Sequence, residues 1–418
     1  MRAQAKQLVA ATRNMPLVTY ATLAIAGCTI AGIAIGRWPL LRANRATIAL
    51  IGAAALLGAG ALSLPQAYAA IDMNTLLLLF SMMVLNGHLL LAGFFKLVAQ
   101  RVVRQAHGPR MLLALVVLSA GLLSALFLND TVALIMTPLV LDITARLRRE
   151  PMPYLLGLAT AANVGSAATI TGNPQNIVVG SASGIGYSAF ALALAPTALI
   201  GLAICWGVIV LSYRAEFGAA TFAVPEAEAV RVYRPLLLKI AVVLPGMLAL
   251  FLAGAPVALA AFLAAAALLV TRRIKSERIF ATIDWGLLVF FAGLFVVTAS
   301  LDAQGLTGVL FVWLQPFAQA GLAPFGLAAA LLSNLVSNVP AVLLLRHLVP
   351  AFAHPQRAWL MLAAASTLAG NLTLLGSVAN LIVAELAGRW GVQISFRAHL
   401  RVGLPVTLLT LLVAFLLV

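Results

Sequence analysis

Leu128-Asn129-Asp130-Thr131-Val132-Ala133-Leu134 and Thr171-Gly172-Asn173-Pro174-Gln175-Asn176 are polar knots inside long apolar runs. The second half of the chain holds two more. They are Ser333-Asn334-Leu335-Val336-Ser337-Asn338-Val339-Pro340 and Gly370-Asn371-Leu372-Thr373-Leu374-Leu375-Gly376-Ser377, with Asn380 following. Each knot carries residue types that stop one helix and start another. Gly172 supplies a flexible joint. Pro174 lacks an N–H and suits the first turn of a new helix. Asn129, Asn173, Ser337, Asn338 and Ser377 are N-cap types.

The surroundings of the knots decide the fold class. The chain has 418 residues, 63% hydrophobic and 9% charged, with a mean hydropathy of +1.08. A soluble domain carries about 25% charged residues, so a water-soluble enzyme and a disordered chain are both excluded. The apolar residues run in blocks and do not alternate, which argues against an outer-membrane barrel. Cys28 and Cys205 both lie in apolar runs and suggest neither a disulfide framework nor a thiolate metal site.

Runs long enough to cross about 30 Å of hydrocarbon fall near 17–36, 47–64, 73–95, 153–184, 190–212, 235–252, 256–271, 284–301, 357–388 and 400–418. Arg2, Lys6 and Arg13 precede the first run as in a signal peptide, and Ile25-Ala26-Gly27-Cys28 resembles a lipoprotein cleavage box. The run continues to Ile35, so 17–36 reads as a retained span. The regions 111–145 and 324–349 are interrupted at Asn129-Asp130-Thr131 and at Ser337-Asn338, and read as hairpins that enter and leave by one face.

The net charge of +15 does not point to nucleic acid, because the basic residues sit in short clusters between apolar runs. With the hairpins re-entrant, 21 of the 26 lysines and arginines fall on one face, in 37–46, 96–110, 146–149, 213–239, 271–281 and 388–401. That asymmetry marks this face as cytoplasmic. The expected setting is the bacterial inner membrane, multi-pass, with the N-terminal tail outside.

The chain repeats itself. Ile71-Asp72 and Gly93 match Ile283-Asp284 and Gly305 at an offset of 212. Leu122-Leu123-Ser124 and Asn129 match Leu331-Leu332-Ser333 and Asn338 at 209, and Thr169, Gly172 and Asn176 match Thr373, Gly376 and Asn380 at 204. Each copy holds five crossings and one hairpin, and an odd number inverts the second copy. The expected fold is an all-α polytopic membrane protein of two inverted-topology repeats. It has about ten transmembrane helices, two re-entrant helical hairpins and two broken helices, the geometry of a secondary transporter. Residues 1–213 form the first repeat, with hairpin 111–145 and broken helix 153–184. Residues 214–234 form a cytoplasmic linker, and 235–418 the second repeat, with hairpin 324–349 and broken helix 357–388.

Asparagine at mid-membrane is tolerated where it faces protein, water or a ligand. If each knot starts a half-helix, four N-termini point at one place. Each carries roughly half a positive charge. Together they can hold an anion or polar solute without a buried Arg or Lys, while unwound carbonyls and amides coordinate Na⁺ or relay protons. A single knot reads equally well as a kink with helix–helix hydrogen bonds; four in repeat-related pairs favour a site. Its candidate residues are Asn129, Asp130, Thr131, Gly172, Asn173, Pro174, Asn176, Ser337, Asn338, Asn371, Thr373, Gly376, Ser377 and Asn380.

Asp130 sits at a hairpin tip with no basic residue near it in sequence, and is assigned to a coupling cation or proton. Asp72 and Asp284 read as N-caps, and Asp142 and Glu385 as helix-surface partners of Arg146 and Arg389. His88, with Asn86, lies inside a span; a proton relay is one reading, a satisfied interior histidine the preferred one. Gly32-xxx-Gly36 and Gly180-xxx-Gly184 allow close helix packing.

The segment Asn129-Asp130-Thr131-Val132-Ala133-Leu134 with Thr137-Pro138, Gly172-Asn173-Pro174-Gln175-Asn176 and the two second-half knots resemble the signatures of the ion-transporter superfamily over roughly residues 70–388. That superfamily holds arsenite permeases, citrate/metal permeases, dicarboxylate/sodium symporters and a class of Na⁺/H⁺ antiporters. The likeness is closest to the arsenite-permease-like branch, since Asn129-Asp130 replaces the Ser-Asn-Thr tips of dicarboxylate symporters. The resemblance implies a homodimer with a scaffold and a moving transport domain, an elevator movement, and solute and coupling ions between the hairpin tips and broken helices.

The expected function is secondary active transport of a small anion or oxyanion, coupled to H⁺ or Na⁺, with Na⁺ held at the tips and no other metal or cofactor. Arsenite/antimonite efflux and Na⁺/H⁺ antiport remain as alternatives, and an ion channel as a different class. No Thr-Val-Gly-Tyr-Gly filter is present. Neither a His-Glu-x-x-His zinc motif nor a Gly-x-Ser-x-Gly nucleophile turn occurs, so an intramembrane enzyme is not expected.

Overall fold

The structure is a computed structural model that describes residues 16–35, 43–218, 232–271, 274–306, 316 and 320–418. The N-terminal tail, Gly36 and most of the 214–234 linker lie outside the described residues. All regular structure among the described residues is helical.

The first half runs α1 (Leu17–Ile35), α2 (Arg45–Gly58), α3 (Leu64–Ala70), α4 (Met73–Ala92), α5 (Phe94–Gln105), α6 (Pro109–Leu126), α7 (Asn129–Arg146), α8 (Pro151–Ser166), α9 (Pro174–Ser183) and α10 (Tyr187–Ser212). The second runs α11 (Arg234–Leu252), α12 (Val257–Leu269), α13 (Ser276–Phe280), α14 (Trp285–Ala303), α15 (Leu322–Val336), α16 (Asn338–Leu345), α17 (Pro355–Ala369), α18 (Val378–Arg389) and α19 (Phe396–Leu417). Seven of these helices are long and apolar enough to cross a membrane, and the interrupted ones are shorter. The interruptions fall at the polar knots. Helices α6 and α7 turn at Phe127–Leu128, α8 and α9 part at 167–173, α15 and α16 turn at Ser337, and α17 and α18 part at 370–377.

Caps follow local chemistry. Asp72 accepts from the N–H groups of Asn74 and Thr75, and Asp284 from that of Leu287. Arg146 pairs with Asp142 at 2.9 Å and Arg389 with Glu385 at 2.8 Å, each one helical turn apart. One expectation needs correction. The stretch 96–110, which as a basic cluster between two apolar runs reads as a connecting loop, is largely a helix: α5 buries Phe95, Ala99 and Val102 and exposes Lys96, Arg101 and Arg104. That apolar stripe beside a basic face is the pattern of a helix lying along an interface.

The two halves pack by the same rules. Helix α2 lies on α14, and α12 on α4; α6 packs on α8, and α15 on α17. Two helices exchange partners between the halves: α18 packs on α7, and α9 on α16. Helices α10 and α19, the last of each half, pack on one another. The exchange brings the interruptions of both halves to one place. The helices of the hairpin and the broken helix approach closely, and a Cβ on Gly165 of α8 would overlap the Gly121 backbone of α6.

Candidate functional site

The first hairpin tip is pinned by Asn129. Its N–H donates to the Gly172 carbonyl at 2.9 Å and its Nδ2 to Asn163 Oδ1 at 3.1 Å. Its Oδ1 accepts from the Asp130 N–H at 3.0 Å. Asn129 therefore sits in the first turn of α7, with Leu128 at the cap position. The half-buried Asp130 carboxylate makes no hydrogen bond among the described residues.

The first broken helix restarts at Asn173, whose Oδ1 accepts from the Asn176 N–H at 2.9 Å. Its Nδ2 donates to Ser166 Oγ at 2.9 Å and to Thr367 Oγ1 at 3.2 Å. Asn176 Nδ2 donates to the carbonyls of Ser166 at 3.1 Å and Thr169 at 2.9 Å, which α8 leaves open where it ends. At Gly172 a Cβ would overlap the Ser166 backbone.

The second half repeats the plan. Ser377 accepts from the Ala379 N–H at 3.2 Å and donates to Asn163 Oδ1 at 2.8 Å. Asn380 Nδ2 donates to the carbonyls of Gly370 at 2.9 Å and Thr373 at 3.2 Å. Asn371 Nδ2 donates to the Thr160 carbonyl at 3.1 Å, and Thr373 Oγ1 to Asn334 Oδ1 at 3.3 Å. The second tip turns on Ser337, whose φ of 82° and ψ of 156° belong to a region glycine favours. With the Asn338 amide oriented to satisfy its neighbours, its nitrogen donates to the Ser366 and Gly376 carbonyls at 3.2 and 3.3 Å. Its oxygen then accepts from Gln175 at 3.3 Å.

Two residues absent from the sequence reading hold the halves together. Asn163 takes Asn129 and Ser377 on its oxygen, and gives its Nδ2 to Asn371 at 2.8 Å and Asn380 at 3.1 Å. Thr367 accepts from Asn173 and Gln175 and donates to Asn176 at 3.3 Å. Asn163 and Thr367 are 204 residues apart, the repeat offset of the knots themselves. That offset was the signal available in the sequence. Neither residue stands in a polar knot, the feature that marks the other site residues in the sequence.

A cavity of about 340 Å³ opens where these elements meet. Asn129 and Asp130 line it from α7, Pro174 and Gln175 from α9, Ser337 and Asn338 from α16, and Ser377 and Val378 from α18. The N-termini of these four interrupted helices thus face one volume, and α2 and α14 also begin at it. Thr131, Gly172, Asn173, Asn176, Asn371, Thr373, Gly376 and Asn380 do not line it; most of them form the hydrogen-bonded wall behind.

Arg45, Asp284 and Phe290 also line the cavity. An arginine from outside the four knots thus stands in the cavity that they frame. Arg45 stands 85 positions before Asp130 in sequence, yet the two line one cavity together with Asp284. The mouth lies at the exposed residues Asn44, Asp284 and Glu385.

A second cavity of about 270 Å³ is lined by Asn74, Leu78, Ile177, Ser181 and Pro256–Ala258, among others. At the repeat offsets of 212 and 204 these residues correspond to Gly286, Phe290, Leu381, Glu385 and Asn44–Ala46, all of which line the first cavity. The two cavities are repeat mates.

His88 stands apart from both. Its Nδ1 meets the Val84 carbonyl at 2.8 Å, and its buried Nε2 has no partner among the described residues. Neither amide atom of Asn86 has one either.

Comparison with known proteins places this geometry. The family profile described as CitMHS, Citrate transporter, matches residues 30–369. The silicon efflux transporter LSI3 of Oryza sativa subsp. japonica is 33% identical across 88% of this chain and 91% of its own length. The uncharacterized transporter Rv2685 of Mycobacterium tuberculosis is 32% identical across 89% and 93%. The crystal structure of the Alcanivorax borkumensis YdaH transporter has the same fold, with a TM-score of 0.58 over 96% of this chain and 98% of its own at 17% identity. These relatives are transporters and not enzymes. A profile that covers most of the chain and end-to-end relatives at about one-third identity make this protein a member of the CitMHS citrate transporter family, within the ion-transporter superfamily.

Proposed function

We propose that the protein is a secondary active transporter of a small anion or oxyanion, coupled to H⁺ or Na⁺, in the bacterial inner membrane. The observation that carries this reading is the meeting of four helix N-termini, from two inverted repeats, around one cavity. Their partial positive charges, with the first-turn N–H groups that the caps leave open, suit an anionic or strongly polar solute. Asp130 is the coupling group: it is the carboxylate at the tips, and a cation or proton there neutralises it. Helix N-termini and amides bind the solute; Asp130 binds the coupling ion.

The paired cavities support alternating access. The first opens beside Asn44, Asp284 and Glu385, on the face that the charge count assigns to the cytoplasm. Its mate serves the other face once the tips have moved relative to α2 and α14. The movement is an elevator carried by the two hairpins and two broken helices, within a homodimer. Two separate cavities with no lining residue in common suit a carrier and not an open channel.

Uptake into proteoliposomes tests the reading. Citrate, phosphate, sulfate, arsenite and silicate are offered under imposed Na⁺ or H⁺ gradients. Saturable flux of one solute that follows one ion gradient is the expected result. Flux that grows linearly with solute and ignores both gradients means a channel.

A further inference from the structure

We propose that Arg45 is a one-sided anion anchor whose availability is set by Asp130. The inference deepens the reading above and rests on it. Arg45 begins α2, outside all four knots, and its half-buried side chain lines the cavity. Its guanidinium makes no hydrogen bond or ion pair among the described residues. A guanidinium offers five donors in a fork that matches a carboxylate or oxyanion, and an unpaired charge taken partly out of water is costly to leave unmatched. The other charges of the cavity are spoken for. Asp284 caps α14 and Glu385 pairs with Arg389 at 2.8 Å. Both keep their negative charge, but Asp130 is the carboxylate of this cavity with no hydrogen bond or ion pair among the described residues, which leaves it open to a cation or proton.

The opposition gives a loading rule. With Asp130 ionised, Arg45 is neutralised at a distance and the cavity offers an anion little net attraction. When Asp130 takes a cation or proton, the Arg45 charge is released to the solute, so anion and coupling ion load together. The repeat offset makes the device asymmetric. The mate of Arg45 in the second cavity is Val257, and that of Glu385 is Ser181. An anion facing the second cavity therefore has helix N-termini but no arginine.

The test uses the full-length protein and two probes of unlike charge, citrate and orthosilicic acid, which is uncharged near neutral pH. Binding is measured by titration calorimetry at mildly acid and mildly alkaline pH, with and without Na⁺. Arg45→Val is expected to weaken citrate binding about tenfold or more, about 1.4 kcal/mol, and to leave silicic acid within about twofold. Arg45→Lys recovers part of the loss. Asp130→Asn binds citrate at the wild type's best affinity whatever the pH or Na⁺. In oriented membrane vesicles, Arg45→Val raises the KM for citrate from the face that bears Arg45 and leaves the other face unchanged.

Equal loss of both probes in Arg45→Val, or loss of neither, overturns the anchor. An equal KM change from both faces overturns its one-sidedness. Asn338→Ala separates this failure from that of the site. If that variant loses both probes while Arg45→Val changes neither, only the anchor falls. If neither variant changes either probe, or the wild type binds neither, the site reading falls as well.

Discussion

Ser377 Oγ donates a 2.8 Å hydrogen bond to Asn163 Oδ1. The bond ties the restart of the second broken helix to the flank of the first, across 214 residues of chain. Asn163 holds Asn129, Asn371 and Asn380 as well, so one amide joins the first hairpin tip to the second repeat. Replacing Asn163 by Ala strands several buried polar groups, each worth about 1–3 kcal/mol when left unmet. We expect Asn163→Ala to lose about 3 kcal/mol of stability and most solute binding. Melting in detergent checks the first part, and a melting temperature equal to that of the wild type refutes the hub.

Ser337 turns the second tip in a conformation that costs a non-glycine residue about 1–3 kcal/mol, and its side chain makes no capping hydrogen bond. Ser337→Gly should therefore raise stability by about 1 kcal/mol after the entropy of the added freedom is subtracted. The same change should weaken solute binding, because it removes a hydroxyl that lines the cavity. A variant that is less stable than the parent contradicts the strain argument; one that binds as well removes the hydroxyl from the site.

Gly165 crosses Gly121 so closely that any side chain meets backbone. Backbone cannot swing aside as a side chain can, so Gly165→Ala should cost about 3 kcal/mol or more. The readout is the yield of monodisperse protein after extraction. Gly27, with nothing within 4 Å of an added Cβ, is the control, and Gly27→Ala should behave as wild type.

The sidedness of the cavity follows from topology and can be checked directly. Gln105 ends α5 and is exposed. In a background where the exposed Cys28 is replaced by Ser and the buried Cys205 by Ala, a single cysteine at position 105 should react with an impermeant thiol reagent only from the cytoplasm. Labelling of intact cells from outside would invert the assignment of both cavities.

Asp130→Asn should leave the fold intact, since no hydrogen bond among the described residues depends on the carboxylate. Transport that loses its dependence on the ion gradient is the expected outcome. Gradient dependence equal to that of the wild type dismisses Asp130 as the coupling group.

The chain itself determined that this is a bundle of membrane helices, where its helices break, and that its halves are inverted copies. Each of these follows from local chemistry. Hydrocarbon admits only segments that satisfy their own backbone, so long apolar runs must be helices, and amides and prolines inside them must be breaks. Asp72, Asp284, Asn173 and Ser377 were legible as caps because a cap is made within a few residues of chain. Asn129 and Ser337 were less so. The first is held by Gly172 and Asn163, which the packing of α6 and α7 against the broken helix supplies.

Only the tertiary structure decided which amides meet. Helix α18 packs on α7 and α9 on α16, and that exchange makes Asn163 and Thr367 the centres of the network. It also brings Arg45 into a cavity from the head of a helix that carries no knot. In sequence, Arg45 is one more basic residue in a loop cluster. Its meaning is a matter of distance in space, which hydropathy and spacing along a chain do not encode.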